Sequence, residues 1–325
     1  MGTMVSSTQQ VPILPSNQNP LGALPARFRR ERVLIVGCGD VGQRAARVLP
    51  GNAVHGVRVL ALTRDAERAP QLRSQGIEPL LGDLDRVATL RRLAGIATRV
   101  LHLAPPASTN AKEEGWLDQR TMALLRVLRL RSRPLSLVYG STSGVYGDCQ
   151  GAWVPESRPV APATARSRRR ANAERAVRCA GRAGIRASLL RIPGIYAPDR
   201  EGGTPRARLL RGTPALRAED DVFTSHIHAD DLARACVLAL WRGKSQRIYH
   251  ASDDTELRMG DYFDLAADLY GLPRPPRISR EQAVQQLPAS LLSFMGESRR
   301  LLNHRLKREL RLVLRYPTVA QGLRG

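Results

Sequence analysis

A chain of 325 residues with 42% hydrophobic but only 4% aromatic side chains calls for an interior of Leu, Val, Ala and Ile, the filling of a helix-covered parallel sheet, and excludes a disordered or fibrous polymer. The formal charge of +22 is carried almost wholly by arginine, with lysine only at Lys112, Lys244 and Lys307; the arginines are scattered and lack interleaved aromatic residues, which argues against a specific nucleic-acid partner. Cys38, Cys149, Cys179 and Cys236 stand too far apart for a zinc knuckle or a disulfide framework, and no apolar run reaches the roughly 20 residues of a membrane span, so a cytoplasmic chain with no membrane association is expected.

Residues 1–30, rich in Ser, Thr, Gln, Asn and Pro, read as a flexible tail. The pattern then changes to VLIVG, a buried strand ending in glycine, followed by a helix with Val41, Ala45 and Leu49 on one face. Strands follow at 57–63, 77–81, 99–104, 135–140 and 186–192, with helices expected at 85–93, 113–131 and 165–182. This βα alternation predicts a doubly wound parallel sheet over 31–192. Residues 193–325 read as a smaller, mostly helical substrate lobe, with about 223–252 returning to the main sheet. Asp118, Glu113 and Glu114 read as helix-surface carboxylates. The arginine runs at 166–170 and 299–315 read as solvated faces.

Gly37-Cys38-Gly39-Asp40-Val41-Gly42 is G-x-G-x-x-G placed between a strand and a helix. Gly37 permits the turn, Gly39 lets a pyrophosphate approach the backbone, and Gly42 lets helix and strand touch; the helix N-terminus then faces the phosphates. A dinucleotide is therefore expected here. The next strand ends Leu62-Thr63-Arg64-Asp65, and Thr63 with Arg64 stand where a 2′-phosphate would be welcome, which favours NADP(H) and keeps NAD(H) as the alternative. Gly82, Asp83 and Leu84, then Leu103, Ala104 and Pro105, fall at strand ends expected to line the adenine and ribose of the cofactor.

The segments VLIVGCGDVG (33–42), GDL (82–84), LHLAPP (101–106), YGSTSGVYG (139–147), RIPGIYAPDR (191–200) and HIHADDLA (226–233) resemble the NAD(P)-dependent epimerase/dehydratase group of the extended short-chain dehydrogenases/reductases. The resemblance runs over nearly everything after residue 30. It implies a Rossmann fold with a small-molecule substrate, nucleotide sugars included, and leaves a homodimer open. It also implies a hydroxyl at Thr142, with Ser141 and Ser143 as neighbours, Pro193 beside the cofactor, and Tyr196 in the substrate wall. His226, His228, Asp230 and Asp231 become a helix start capped by one of the two aspartates, and no metal site is expected.

The family chemistry further requires Tyr-x-x-x-Lys. Those positions fall on Arg166 and Arg170, so the sequence reads Arg-x-x-x-Arg. A guanidinium keeps its proton near neutral pH and cannot exchange it as a phenol does. Arg170 could still contact the cofactor, and Tyr146 beside Thr142, or else Tyr196, becomes the candidate for a displaced proton donor. Two classes of function stay open: an oxidoreductase or epimerase/dehydratase with an altered relay, and a catalytically silent dinucleotide-binding sensor or regulatory protein.

Overall fold

The computed structural model describes residues 31–49, 56–107 and 115–324; the tail at 1–30, Glu113 and Glu114 lie outside them. Five apolar runs form β1 (Arg32–Val36), β2 (Arg58–Thr63), β3 (Ile77–Leu81), β4 (Arg99–His102) and β5 (Ser136–Thr142). After the short β6 (Trp153–Val154) come β7 (Arg186–Ile192), β8 (Gly194–Tyr196), β9 (Ala215–Leu216), β10 (Phe223–Thr224), β11 (His226–His228) and β12 (Ile248–His250). The main sheet is seven-stranded, in the order β12-β7-β5-β4-β1-β2-β3, and every pair in it is parallel. Strand order reverses between β1 and β4, so a crevice opens at their carboxyl ends, where open α/β sheets bind ligands.

Alternation along β1 sends Val33 and Ile35 to one core and Leu34 and Val36 to the other. The first core is covered by α1 (Asp40–Val48), α2 (Ala69–Ser74) and α6 (Ala229–Arg242), the second by α3 (Gln119–Leu128) and α4 (Ala165–Arg182). Helices on both faces make the sheet doubly wound. A third core, around Tyr196, Leu209, Leu216, Tyr262, Phe263 and Met295, belongs to a smaller C-terminal lobe. It is built with α5 (Arg206–Leu210), α7 (Met259–Tyr270), α8 (Arg280–Gln286) and α9 (Ala289–Met295). No described helix is long and apolar enough to cross a membrane.

The differences from the expected elements have local causes. The segment expected as an α-helix at 85–93 is a 3-10 helix over Val87–Leu93, where Thr89 Oγ1 donates to the Arg86 carbonyl at 2.7 Å and accepts from the Asp83 amide at 2.9 Å, in competition with regular helix bonds. β4 stops at His102 because the Leu103 and Ala104 amides both turn to the Val36 carbonyl. Within 223–252 only β12 joins the main sheet; β11 pairs with β8 and β10 with a separate short strand at Leu257–Arg258.

Neither arginine run is a continuous solvated face. Arg169 and Arg170 are 9% and 8% exposed, and Leu301, Leu306, Leu310, Leu312 and Leu314 bury the second stretch between its arginines. Asp118 is likewise not a surface carboxylate: it is buried and caps α3 through the Thr121 amide at 3.2 Å.

Candidate active site

A cleft of about 990 Å³ lies along the carboxyl edge of β1, β2, β4 and β5. Its wall brings together Gly37 to Gly42, Thr63 and Arg64, Gly82 to Leu84, Leu103 to Pro105, Arg170 and Pro193, the whole set assigned to a dinucleotide from sequence. Gly37 sits at φ +88°, and a Cβ there would stand 2.3 Å from the Ala104 amide nitrogen. At Gly42 a Cβ would come within 3.1 Å of the Gly37 carbonyl and 3.2 Å of an Ile35 methyl. Gly39 is different: a Cβ there would meet nothing within 4 Å, and the residue opens α1 with no side-chain cap. The first amides of α1 thus face an open cleft, the arrangement that receives a phosphate.

Asp40 in the first turn of α1 would repel that phosphate, but its charge is answered. Arg44, itself 5% exposed, donates to Asp40 at 2.9 Å, Asp230 at 2.6 Å and Asp199 at 2.7 Å, and Arg200 adds an ion pair at 3.3 Å. These contacts tie α1 to α6 and to the loop after β8. Sequence reasoning missed Arg68 and Arg200 as cleft residues. Arg68 donates to the Cys38 carbonyl at 2.9 Å and Arg200 to the Ile195 carbonyl at 2.9 Å, positions set by folding rather than by neighbouring sequence.

A second cavity, of about 500 Å³, is enclosed by Thr142 to Gly144, the first turn of α4, residues 193–196 and the C-terminal lobe. Thr142, Arg166, Pro193 and Ile195 line both cavities, which makes them the junction. Thr142 Oγ1 accepts from the Gly144 amide at 3.2 Å, which leaves its hydroxyl proton to donate. Ser143 and Tyr196 line the second cavity. Ser141 is unavailable: it donates to Glu174 at 2.6 Å.

Arg166 and Arg170, one turn apart on α4, meet opposite fates. Arg170 is buried and donates to the Gly140 carbonyl at 2.7 Å and the Tyr139 hydroxyl at 3.1 Å. Arg166 makes no hydrogen bond or ion pair with any described residue and faces the open junction. Desolvation and the charge of Arg170 pull its pKa below the ordinary arginine value.

Tyr146 is placed away from this junction. It is 1% exposed and lines neither cavity, and its hydroxyl shares a 2.6 Å hydrogen bond with His250 Nε2. His250 Nδ1 is 2.9 Å from the Leu302 carbonyl, which can only accept, so Nε2 takes the tyrosine proton. Burial pushes the Tyr146 phenol up to about 12. The expectation of Tyr146 as a displaced donor is corrected on this geometry. Tyr196 is also buried, donates to the Thr318 carbonyl at 3.3 Å and has its pKa raised by desolvation. Beneath the site the Glu174–Arg191 pair, at 2.7 Å with side chains 5% and 3% exposed, holds β7 to α4. The cap of α6 is His228, whose Nδ1 accepts from the Asp230 amide at 3.2 Å. Asp230 and Asp231 instead serve Arg44 and the backbone of Arg315 and Tyr316.

Residues 33–251 match the NAD dependent epimerase/dehydratase family. The chain belongs to that family. A 4-hydroxy-2-methyl-3-oxo-4-farnesyl-3,4-dihydroquinoline-1-oxide ketoreductase from Stigmatella aurantiaca is 24% identical over 241 residues, 72% of this chain and 72% of its own length. Among solved structures, a functionally unknown conserved protein from Silicibacter pomeroyi DSS shares 28% identity at a TM-score of 0.72, covering 90% of this chain and 97% of that one. DesIV, a dTDP-glucose 4,6-dehydratase from Streptomyces venezuelae, shares 22% at 0.70, covering 90% and 94%.

The expected preference for NADP(H) is corrected. The similar structures whose dinucleotide is named, DesIV and MoeE5 among them, hold NAD. In the cleft of this epimerase/dehydratase family member Thr63 spends its hydroxyl on the Asp65 backbone at 3.1 Å, Arg64 and Asp65 are both exposed and both line the wall, and the Asp65 carboxylate accepts from the Glu67 amide at 2.9 Å.

Proposed function

We propose that this chain is an NAD(H)-dependent oxidoreductase or epimerase/dehydratase-like enzyme acting on a carbonyl or carbinol substrate, nucleotide sugars being one class. The observation that carries this reading is the junction, where Thr142, Arg166, Pro193 and Ile195 belong to both cavities. A dinucleotide laid from the N-terminus of α1 across β4 and β5 would end where a ligand of the second cavity begins. The names of the relatives support it: a ketoreductase, DesIV with NAD and TYD bound, and MoeE5 in complex with UDP-glucose and NAD.

The glycine cradle and the open end of α1 fit a pyrophosphate, and Asp65 fits ribose hydroxyls. Bound NAD(H) supplies or takes the hydride. Thr142 donates to the substrate oxygen and orients it. Arg166 contributes charge but no exchangeable proton, so the family relay through a phenol is replaced by a proton from solvent or from the substrate itself. One observation favours a second reading, a silent NAD(H)-binding sensor or regulatory protein: the position of the family tyrosine holds a cation.

The test is calorimetry with NADH followed by turnover on a panel of sugar nucleotides, ketones and aldehydes. The enzyme reading expects turnover that Thr142→Ala lowers by about 100-fold, the scale of a lost acid-base or orienting group, with NADH affinity retained. NADH binding without turnover, and activity gained by Arg166→Tyr/Arg170→Lys, would establish the silent reading. A chain that binds no NADH sinks both.

A further inference from the structure

The second cavity carries more positive charge than its own fold uses. Glu297 is the one carboxylate among its lining residues, and Arg299 neutralises it at 2.7 Å. Arg208 lies over the Phe263 ring at 4.4 Å, with its Nε and Nη2 buried and without a hydrogen-bond partner. Buried donors left in this state cost stability unless something accepts from them.

Arg166 has no ion pair or hydrogen bond to any described residue, and it stands in the first turn of α4, where the helix dipole disfavours a cation. The end of that helix is already capped: Thr164 and Ser167 satisfy each other's backbone amides. Arg170 one turn on adds repulsion. Packing and capping therefore do not account for a cation at 166.

Phe223, Tyr262 and Phe263 also line the cavity, Phe263 with Arg208 over its ring at 4.4 Å and Phe223 with Arg300 over its ring at 4.5 Å. We propose that this cavity selects a substrate that presents an anionic group, a carboxylate or a phosphate, to Arg166 at the junction and an aromatic or other apolar body to those rings, with the charge of Arg208 behind Phe263 adding attraction. The guanidinium fork of Arg166 matches two oxygens of either group. This assignment rests on the reading of the junction as the reaction centre, and names the chemistry that the centre accepts.

Matched probes test it by calorimetry on the full chain, with and without NADH: phenylpyruvate against its methyl ester for a carboxylate, and phenyl phosphate against phenol for a phosphate. At least one anionic probe is expected to bind about tenfold or more tightly than its neutral partner, the scale of a charge-assisted hydrogen bond, and the pair that shows the larger ratio identifies the group. Arg166→Gln should abolish most of that ratio and Arg166→Lys keep part of it. Arg182→Gln, which removes the same charge at the far end of α4, should keep all of it. Equal binding of anionic and neutral probes, no binding of any probe, or a ratio that survives Arg166→Gln overturns the proposal. A ratio that persists in a chain unable to bind NADH keeps the anion site and removes the cofactor reading instead.

Discussion

The dinucleotide cleft takes most of its wall from short contiguous stretches that each follow a strand of the main sheet, at 36–42, 62–65, 82–84 and 103–107. The second cavity takes its wall from pieces as distant as 142–144, 164–167, 193–208, 223–226, 259–263 and 291–299. In the first, function resides in backbone: a turn at positive φ, an open helix end, amides without side chains in the way. In the second it resides in side chains that approach only after two cores have packed. Contiguous backbone geometry leaves a sequence pattern, and convergent side chains do not.

The sharpest way to break this comparison is to cut the link between the two regions. Glu174→Gln leaves Arg191 buried without a counter-charge beneath β5 and β7, and is expected to destabilise by about 3–5 kcal/mol, the scale of a broken buried pair. Urea unfolding measures it, and a loss under 1 kcal/mol would show that the pair is not what holds α4 in place. Next in size is the turn itself. Gly37→Ala, with a Cβ 2.3 Å from the Ala104 nitrogen at φ +88°, should cost about 2–3 kcal/mol and abolish NADH binding. Its companion Gly39→Ala, where a Cβ meets nothing within 4 Å, should change stability by no more than about 0.5 kcal/mol while weakening NADH. Equal stability losses in the two variants would make both glycines merely structural.

A pH dependence sharpens the comparison at lower amplitude. Desolvation pulls His102 and His250 down to about 3 and His226 to about 4, and pushes Asp253 up to about 8. Between the ordinary histidine value and those depressed values the unfolded chain binds three protons that the native chain refuses. Asp253 keeps one in the native state that an unfolded carboxylate has lost. The net of two protons makes stability present near pH 7 and lost as pH falls from about 6.5 towards 4, with a limiting slope of about 2.7 kcal/mol per pH unit. Urea midpoints at pH 7 and pH 5 check the sign; a midpoint that rises on acidification would mean that these histidines are charged in the fold.

The strands, the winding of the sheet and the glycine cradle were legible in the sequence because periodicity and backbone chemistry act between near neighbours. The span 165–182 of α4 could be read from its residues, as could the placement of Thr142 after β5. The aligned position of Arg166 was visible, but its freedom and the burial of Arg170 were not. One turn of helix separates them, and only the packing of α4 against β5 decides that Arg170 is spent on Gly140 and Tyr139 while Arg166 meets no hydrogen-bond partner among the described residues. Tyr146 shows the same limit: its neighbours in sequence are those of a site residue, yet His250, 104 positions away, holds its hydroxyl. Local sequence set which groups lie close along the chain, and tertiary packing alone decided which of their polar atoms were satisfied and which were not, because hydrogen-bond partners this far apart in the chain meet only in the folded state.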